Sequence, residues 1–286
     1  MPAAVDWTNG VTEASREVEW FQPKLKEVPA IAKQIFKDYS HLVDDDIIGH
    51  IHRVRDAAWK ILPYPCIGCF RFLDFPACIS PAYPEVIERA KAGETLLDLG
   101  CGLGQDIRKL IYDGAPAENL IGADSESAFH SLGYELFRDR DTLKARLITS
   151  DVFADDFLEE FRGKVDIVFM GSFLHLFTFD QQITIMKQVS RLLRHKSGSM
   201  IFGRHMAISD AGGTFKTNAI GWSLYYHSPD TFQKLLDGAS EERWDLSTKL
   251  IPYSSASRTV SDSAMTWQKG DHVKQMYFTA KLQLSS

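Results

Sequence analysis

No run of about 18 consecutive apolar residues occurs in this chain of 286 residues, so no membrane-spanning helix is expected. Basic clusters are missing as well. The net charge is −6, and no Lys/Arg run gathers the positive footprint that phosphate backbones need, so nucleic acid is not an expected partner. The N-terminal stretch MPAAVDWTNGVTEASREVEW lacks the basic start and apolar centre of a secretory signal, and the C-terminal KLQLSS lacks a prenylation cysteine. Cysteine is scarce, with four residues in all. Cys66 and Cys69 form a CxxC, but no second ligand pair follows at zinc spacing. The pair sits in the proline-flanked PYPCIGCF rather than at the head of a helix after a strand, which argues against a redox motif. The reading is therefore no metal, reduced thiols and a cytoplasmic location. Internal repeats and low-complexity tracts are also absent.

What is present is enough apolar residue, 44%, for one large core without staples. The first ~20 residues read as loosely attached, and they are expected to order over a bound ligand. Helices are expected over 23–39 and 43–62, the second carrying Ile47, Ile48, Ile51, Val54, Ala58 and Ile61 at helical spacing. Residues 63–84 are rich in proline and aromatics and read as irregular, and PEVIERA follows as a short helix. From residue 94 short apolar runs alternate with helices. TLLDLG, NLIGAD, ARLITS, VDIVFMG and SGSMIFGR read as strands, with FDQQITIMKQVSRLL the clearest helix. That alternation indicates an α/β fold, a parallel sheet covered on both faces. WDLSTKLIPY and HVKQMYFTAKLQL then read as a closing hairpin that inserts an antiparallel strand. Residues 1–90 are taken as a helical cap, 91–286 as the catalytic domain, and 205–227 as a substrate lid.

The informative stretch is LLDLGCGLGQD, residues 96–106. A nucleoside-triphosphate loop would need GxxxxGK[ST], which is absent. Gly100, Gly102 and Gly104 are spaced GxGxG, with Gln105 where a dinucleotide fingerprint has its third glycine. Asp98 ends the first strand, where it would repel a pyrophosphate but suit a cationic ligand. S-adenosylmethionine, with its ammonium and sulfonium, is such a ligand. Asp124 ends the next strand, placed to accept from ribose hydroxyls, and Asp151 ends the third, placed for the adenine amino group beside the Val152 N–H. A strand-end Asp can also merely cap the next helix, but three such acids in succession carry more weight.

LLDLGCGLGQD, GADSES, ITSDVF and DIVFMGSFLHLF resemble motifs one to four of the class I S-adenosylmethionine-dependent methyltransferases over residues 94–204. YPCIGCFRFLDF, PAYPEVIERA, FLHLF and GWSLYYHSPDTFQKLL are similar to the methyltransferases of fungal secondary-metabolite clusters, in particular those methylating carboxyl groups of meroterpenoid intermediates. The resemblance implies a Rossmann-like sheet of seven strands, the last antiparallel, with S-adenosylmethionine as cofactor. It implies cofactor contacts from Asp98, Gly100, Cys101, Gly102, Asp124, Ser125, Asp151, Val152, Phe153, Gly171 and Ser172.

Methyl transfer is an in-line displacement, so alignment and exclusion of water are the main demands. A carboxylate acceptor, with pKa near ~4, is already ionised, whereas a phenol near ~10 or an alcohol calls for a base. His175, Arg204 and His205 are the catalytic candidates: His175 as base or orienting donor, Arg204 as a carboxylate clamp. His227 reads as helix capping. Arg71, Phe72, Phe173, Trp222 and Tyr226 are the substrate-binding candidates, and their aromatic character suits a small apolar acceptor. No [DN]PP[YF] sequence follows the fourth strand, which argues against nucleobase amino-group methylation. Carboxyl O-methylation is the leading expectation. A phenol or alcohol O-methyltransferase, a non-methylating cyclase on the same fold and a cofactor-binding regulator remain open, as does a homodimer.

Overall fold

The structure, a computed structural model, describes residues 16–18, 20–209, 212–216, 223–252 and 273–284, and every structural statement below concerns these. Five parallel strands come first: β1 (Leu96–Leu99), β2 (Leu120–Asp124), β3 (Arg146–Thr149), β4 (Ile167–Gly171) and β5 (Met200–Ile208). The helices that cross between or flank them are α5 (Gln105–Tyr112), α6 (Ser127–Phe137) and α7 (Phe179–Leu192). β8 (Arg243–Pro252) and β9 (Val273–Gln283) close a seven-stranded sheet of order β3-β2-β1-β4-β5-β9-β8. β9 is antiparallel to both of its neighbours. It is the expected inserted strand.

β1 is buried at every position because helices cover both sheet faces. Strand order reverses between β1 and β4, and in open α/β sheets ligands bind at the carboxyl ends of the strands on either side of such a reversal. Gly100 and Ser172 stand there.

The N-terminal part is helical: α1 (Ala30–Gln34), running on as a wider turn over Ile35–Tyr39, α2 (Asp44–Ile61) and α3 (Pro65–Gly68). The expected helix over 23–39 begins only at Ala30, because Pro23 and Pro29 interrupt the backbone pattern before it. In α2 the buried stripe is Ile47, Ile51, Val54 and Ala58, at steps of four, three and four residues. Ile48, expected on that face, is 46% exposed, since it lies about 100° round the helix from Ile47. The stripe packs with Phe129, Leu136 and Phe137 of the α6 region, so the N-terminal helices share a core with the sheet's outer layer. α4 (Tyr83–Lys91) leads into β1.

A short hairpin, β6 (Gly213–Lys216) with β7 (Ser223–Tyr226), lies in the expected lid segment and precedes α8 (Pro229–Ala239). Trp222 lies outside the described residues, as do 1–15, on which most of the expected ordering of the N-terminus falls. Between β3 and β4 the crossover holds only one tight turn, Glu159–Phe161. Arg108 of α5 is fully buried and grips Asp139 at 2.8 and 2.9 Å. Its Nη1 also donates to the carbonyls of Leu103 and Gly104, at 3.2 and 3.3 Å. Tyr39 donates to the same Asp139 at 2.8 Å, so one ion pair joins the glycine loop to the N-terminal helices.

Candidate active site

The loop after β1 turns through three left-handed glycines, Gly100, Gly102 and Gly104, with φ of +75°, +54° and +69°. A Cβ on Gly100 would also run into the Phe173 ring, whereas one on Gly102 would meet nothing within 4 Å. Gly100 needs its missing side chain for packing, and Gly102 presents bare backbone to open space. The Gly102 N–H donates to Asp124 Oδ2 at 2.9 Å, and the Glu126 N–H donates to Oδ1 at 3.0 Å. Each oxygen keeps a lone pair for a ribose hydroxyl. Ser125 is exposed beside it. Asp151 accepts the Phe153 N–H at 3.0 Å while its side chain stays at the surface, and Val152 is buried beneath. Asp98 is fully enclosed, and its Oδ2 has no hydrogen-bond partner among the described residues. Burial, then the charges of Asp106 and Asp124, push its carboxyl well above the usual range. A ligand ammonium would satisfy that oxygen and release its proton. Cys101 sits under the loop, 3.6 Å from His130, and burial raises its thiol. Its side chain supports the loop from below rather than lining the cleft.

Cys66 of α3 is exposed, with Arg71 and Asp124 both acting on its thiol. Tyr64 also feels Asp124. Neither carries a local signal in the sequence that ties it to Asp124. Cys69, by contrast, faces inward and donates to the Trp20 carbonyl at 2.9 Å.

A second group of candidates is brought together from distant segments. Gly171 and Ser172 end β4, and Ser172 is held at φ +62° with its N–H on the Arg204 carbonyl at 2.7 Å. His175 lies just beyond, in a tight turn over Leu174–Leu176. The Met206 N–H donates to His175 Nδ1 at 3.4 Å. A backbone N–H can only donate, so Nδ1 is the bare nitrogen and the proton sits on Nε2. Burial, with the guanidiniums of Arg71 and Arg204, drives the His175 pKa down to about 3. Tyr226 packs edge-on against this ring, centroids 6.1 Å apart. Arg204 and Arg71 both point at Asp74, a fully buried acid, with Arg204 Nη2 at 3.4 Å and Arg71 Nε at 3.3 Å from Oδ2. Asp74 was quoted within RFLDF in the sequence but given no role; nothing local marks a residue whose partner is 130 positions away.

Two candidates lie elsewhere. His205 follows Arg204 on a strand, so it faces the opposite side of the sheet. It is buried against Phe232 and Phe278, at 4.9 and 5.1 Å, and both ring nitrogens lack partners among the described residues. It therefore does not stand beside Arg204 on one sheet face, although His175 still acts on it. Phe72 is buried in the N-terminal core, 6.3 Å from Phe70. His227 bridges Gln182 at 2.8 Å and Thr231 at 3.1 Å, tying α7 to α8.

Residues 20–73 match the family model described as meroterpenoid methyltransferase N-terminal domain, and 96–196 match a general methyltransferase domain. An asnovolin E/chermesin D methyltransferase of Aspergillus novofumigatus is 42% identical over 206 residues, which is 71% of this chain and 73% of that protein. The chain belongs to the S-adenosylmethionine-dependent methyltransferases of fungal meroterpenoid clusters. An O-methyltransferase from another fungal species is 38% identical over 82% of this chain and 80% of its own. Among solved structures, a Burkholderia thailandensis 1,6-didemethyltoxoflavin N1-methyltransferase with bound S-adenosylhomocysteine aligns at TM-score 0.53. It covers 86% of this chain and 90% of its own at 16% identity, a likeness of fold. This meroterpenoid methyltransferase therefore uses S-adenosylmethionine as its cofactor. The enclosed, unpartnered Asp98 oxygen and the two-pronged Asp124 fit the two polar ends of that molecule.

Proposed function

We propose that this methyltransferase esterifies a carboxylate on an apolar terpenoid- or polyketide-derived intermediate. The observation that carries the reading is His175, whose Nδ1 accepts the Met206 N–H and whose pKa is pushed down to about 3. Such a ring is too weak a base for a phenol near ~10 or for an alcohol. It retains an Nε2–H to donate, and donors suit an acceptor that arrives already ionised. The bound cofactor supplies an electrophilic methyl on a sulfonium. Arg71 and Arg204 attract the acceptor carboxylate, with the bidentate geometry that guanidinium favours. Tyr226 and Phe173 supply apolar walls that exclude water. Turnover then comes from proximity and desolvation.

Residues 1–90 act in this reading as a cap, with Tyr64 and Cys66 facing Asp124. No helix among the described residues is long and apolar enough to cross a membrane, and a cytoplasmic enzyme acting on a small molecule accords with the net charge of −6. Replacing His175 by Ala tests the reading. Turnover on the native acceptor is expected to fall by less than about tenfold. A fall of about two orders of magnitude would mark a general base and a phenolic or alcoholic acceptor.

A further inference from the structure

The turn that carries Arg71 is built at a cost. Phe70 and Phe75 bracket it, both non-glycine residues in the left-handed region, with φ of +58° and +50°. Both conformations are strained, and strain of this kind persists where the surroundings over-determine it. Between them lies Asp74, with 0% exposure. A buried carboxylate is costly unless it is paired. Here one oxygen, Oδ2, takes both Arg71 Nε at 3.3 Å and Arg204 Nη2 at 3.4 Å. One carboxylate oxygen thus spaces two guanidiniums. The nearby Asp106, on which Arg204 also acts, is fixed by neutral donors, the Ala77 N–H at 2.8 Å and the Gln105 amide at 3.1 Å.

We propose that Asp74 is a positioning residue that locks Arg71 and Arg204 into one fork for an anionic acceptor. This rests on the carboxylate reading above. Without the shared oxygen the two guanidiniums repel each other, and the segment bearing Arg71 loses its tie to β5. Asp74 does not touch the acceptor; it sets the spacing of the two groups that do. Because the methyl ester product is uncharged, the same fork releases it.

The test compares the full-length enzyme with Asp74→Asn, using whichever acceptor the wild type methylates from a panel of apolar acids, phenols and terpenoid alcohols. The expected result is an acceptor KM raised about tenfold or more, a smaller change in kcat, and S-adenosylhomocysteine affinity within twofold of wild type. An unchanged KM with only a lowered melting temperature would make Asp74 merely structural and overturn the proposal. A lowered KM would mean that Asp74 only dilutes the positive charge, and would overturn it equally. If Asp74→Asn melts below the assay temperature, Asp74→Glu carries the test, since it keeps the charge but moves it by one methylene. A threefold rise in KM supports the fork, and a wild-type KM refutes it. Alkali-stable methyl products from the wild type would refute the carboxylate reading on their own. The KM comparison with that acceptor would still decide the role of Asp74.

Discussion

In the proposed reading, the cofactor side of the site is held by backbone, and the acceptor side by side chains. Gly100, Gly102 and Asp124 come from two short contiguous stretches, and Asp124 is fixed by the N–H groups of Gly102 and Glu126 at 2.9 and 3.0 Å. Arg71, Asp74, His175 and Arg204 come from three separate parts of the chain, and they meet through one buried carboxylate and one imidazole. The first arrangement tolerates little change because it depends on φ angles and on the missing Cβ. The second depends on side chains that can be exchanged one at a time. A family can thus keep one cofactor site while its acceptors diverge.

The sharpest way to break this division is Gly100→Ala. The added Cβ meets the Phe173 ring at a residue with φ of +75°. S-adenosylhomocysteine affinity, read by calorimetry, is expected to drop about 100-fold, taking activity on every acceptor with it. A loss confined to one class of acceptor would show that the two sides are not separate. Arg204→Met addresses the other side. It leaves Asp74 one partner short, and kcat/KM for the acceptor is expected to fall by about 2–4 kcal/mol in transition-state terms. Cofactor affinity should stay within twofold; a parallel loss of cofactor binding would merge the halves.

His205→Phe sharpens the comparison from the far face of β5. Burial holds His205 well below its ordinary pKa, with His227 and His175 adding to the effect. The unfolded chain therefore binds the extra proton below about pH 6.5, and acid destabilises the wild type through this group. The Phe variant loses that penalty. Its stability relative to wild type is expected to improve by about 2 kcal/mol between pH 7.5 and pH 5, in paired denaturant titrations. Turnover at neutral pH should be unchanged, and a large loss would restore His205 to the site.

The smallest effect is a proton count. Burial, then Asp106 and Asp124, push the Asp98 carboxyl well above the usual carboxylate range. An arriving ammonium lowers its pKa, so cofactor binding should release a fraction of a proton. Release should be greatest at acidic pH and fade as the free carboxyl ionises. Calorimetry in buffers of differing ionisation heat reads it, and net proton uptake would place the ammonium elsewhere.

The same division explains what the sequence disclosed. The sheet, the inserted strand and the α7 helix were legible because burial on both faces and helical periodicity are local patterns. So were Asp98, Asp124 and Asp151, each marked by its place at a strand end. His205 stands next to Arg204 in sequence, but the two-residue period of a strand sets it on the opposite face. Ile48 failed for the related reason that an apolar residue one step from the stripe looks like part of it. Asp74, Tyr64 and Cys66 had no local signal, because what gives them meaning is the folding of the N-terminal helices over the sheet. The late start of α1 at Ala30 came from prolines that a periodicity reading passes over.

The central claim is that the acceptor oxygen belongs to a carboxylate. The most direct measurement uses purified enzyme, methyl-labelled S-adenosylmethionine and the acceptor panel, followed by mild alkali on each labelled product. The account predicts label released as volatile methanol, the mark of a methyl ester. Label that survives alkali in the product would mean an ether or a carbon–methyl bond, and would contradict it.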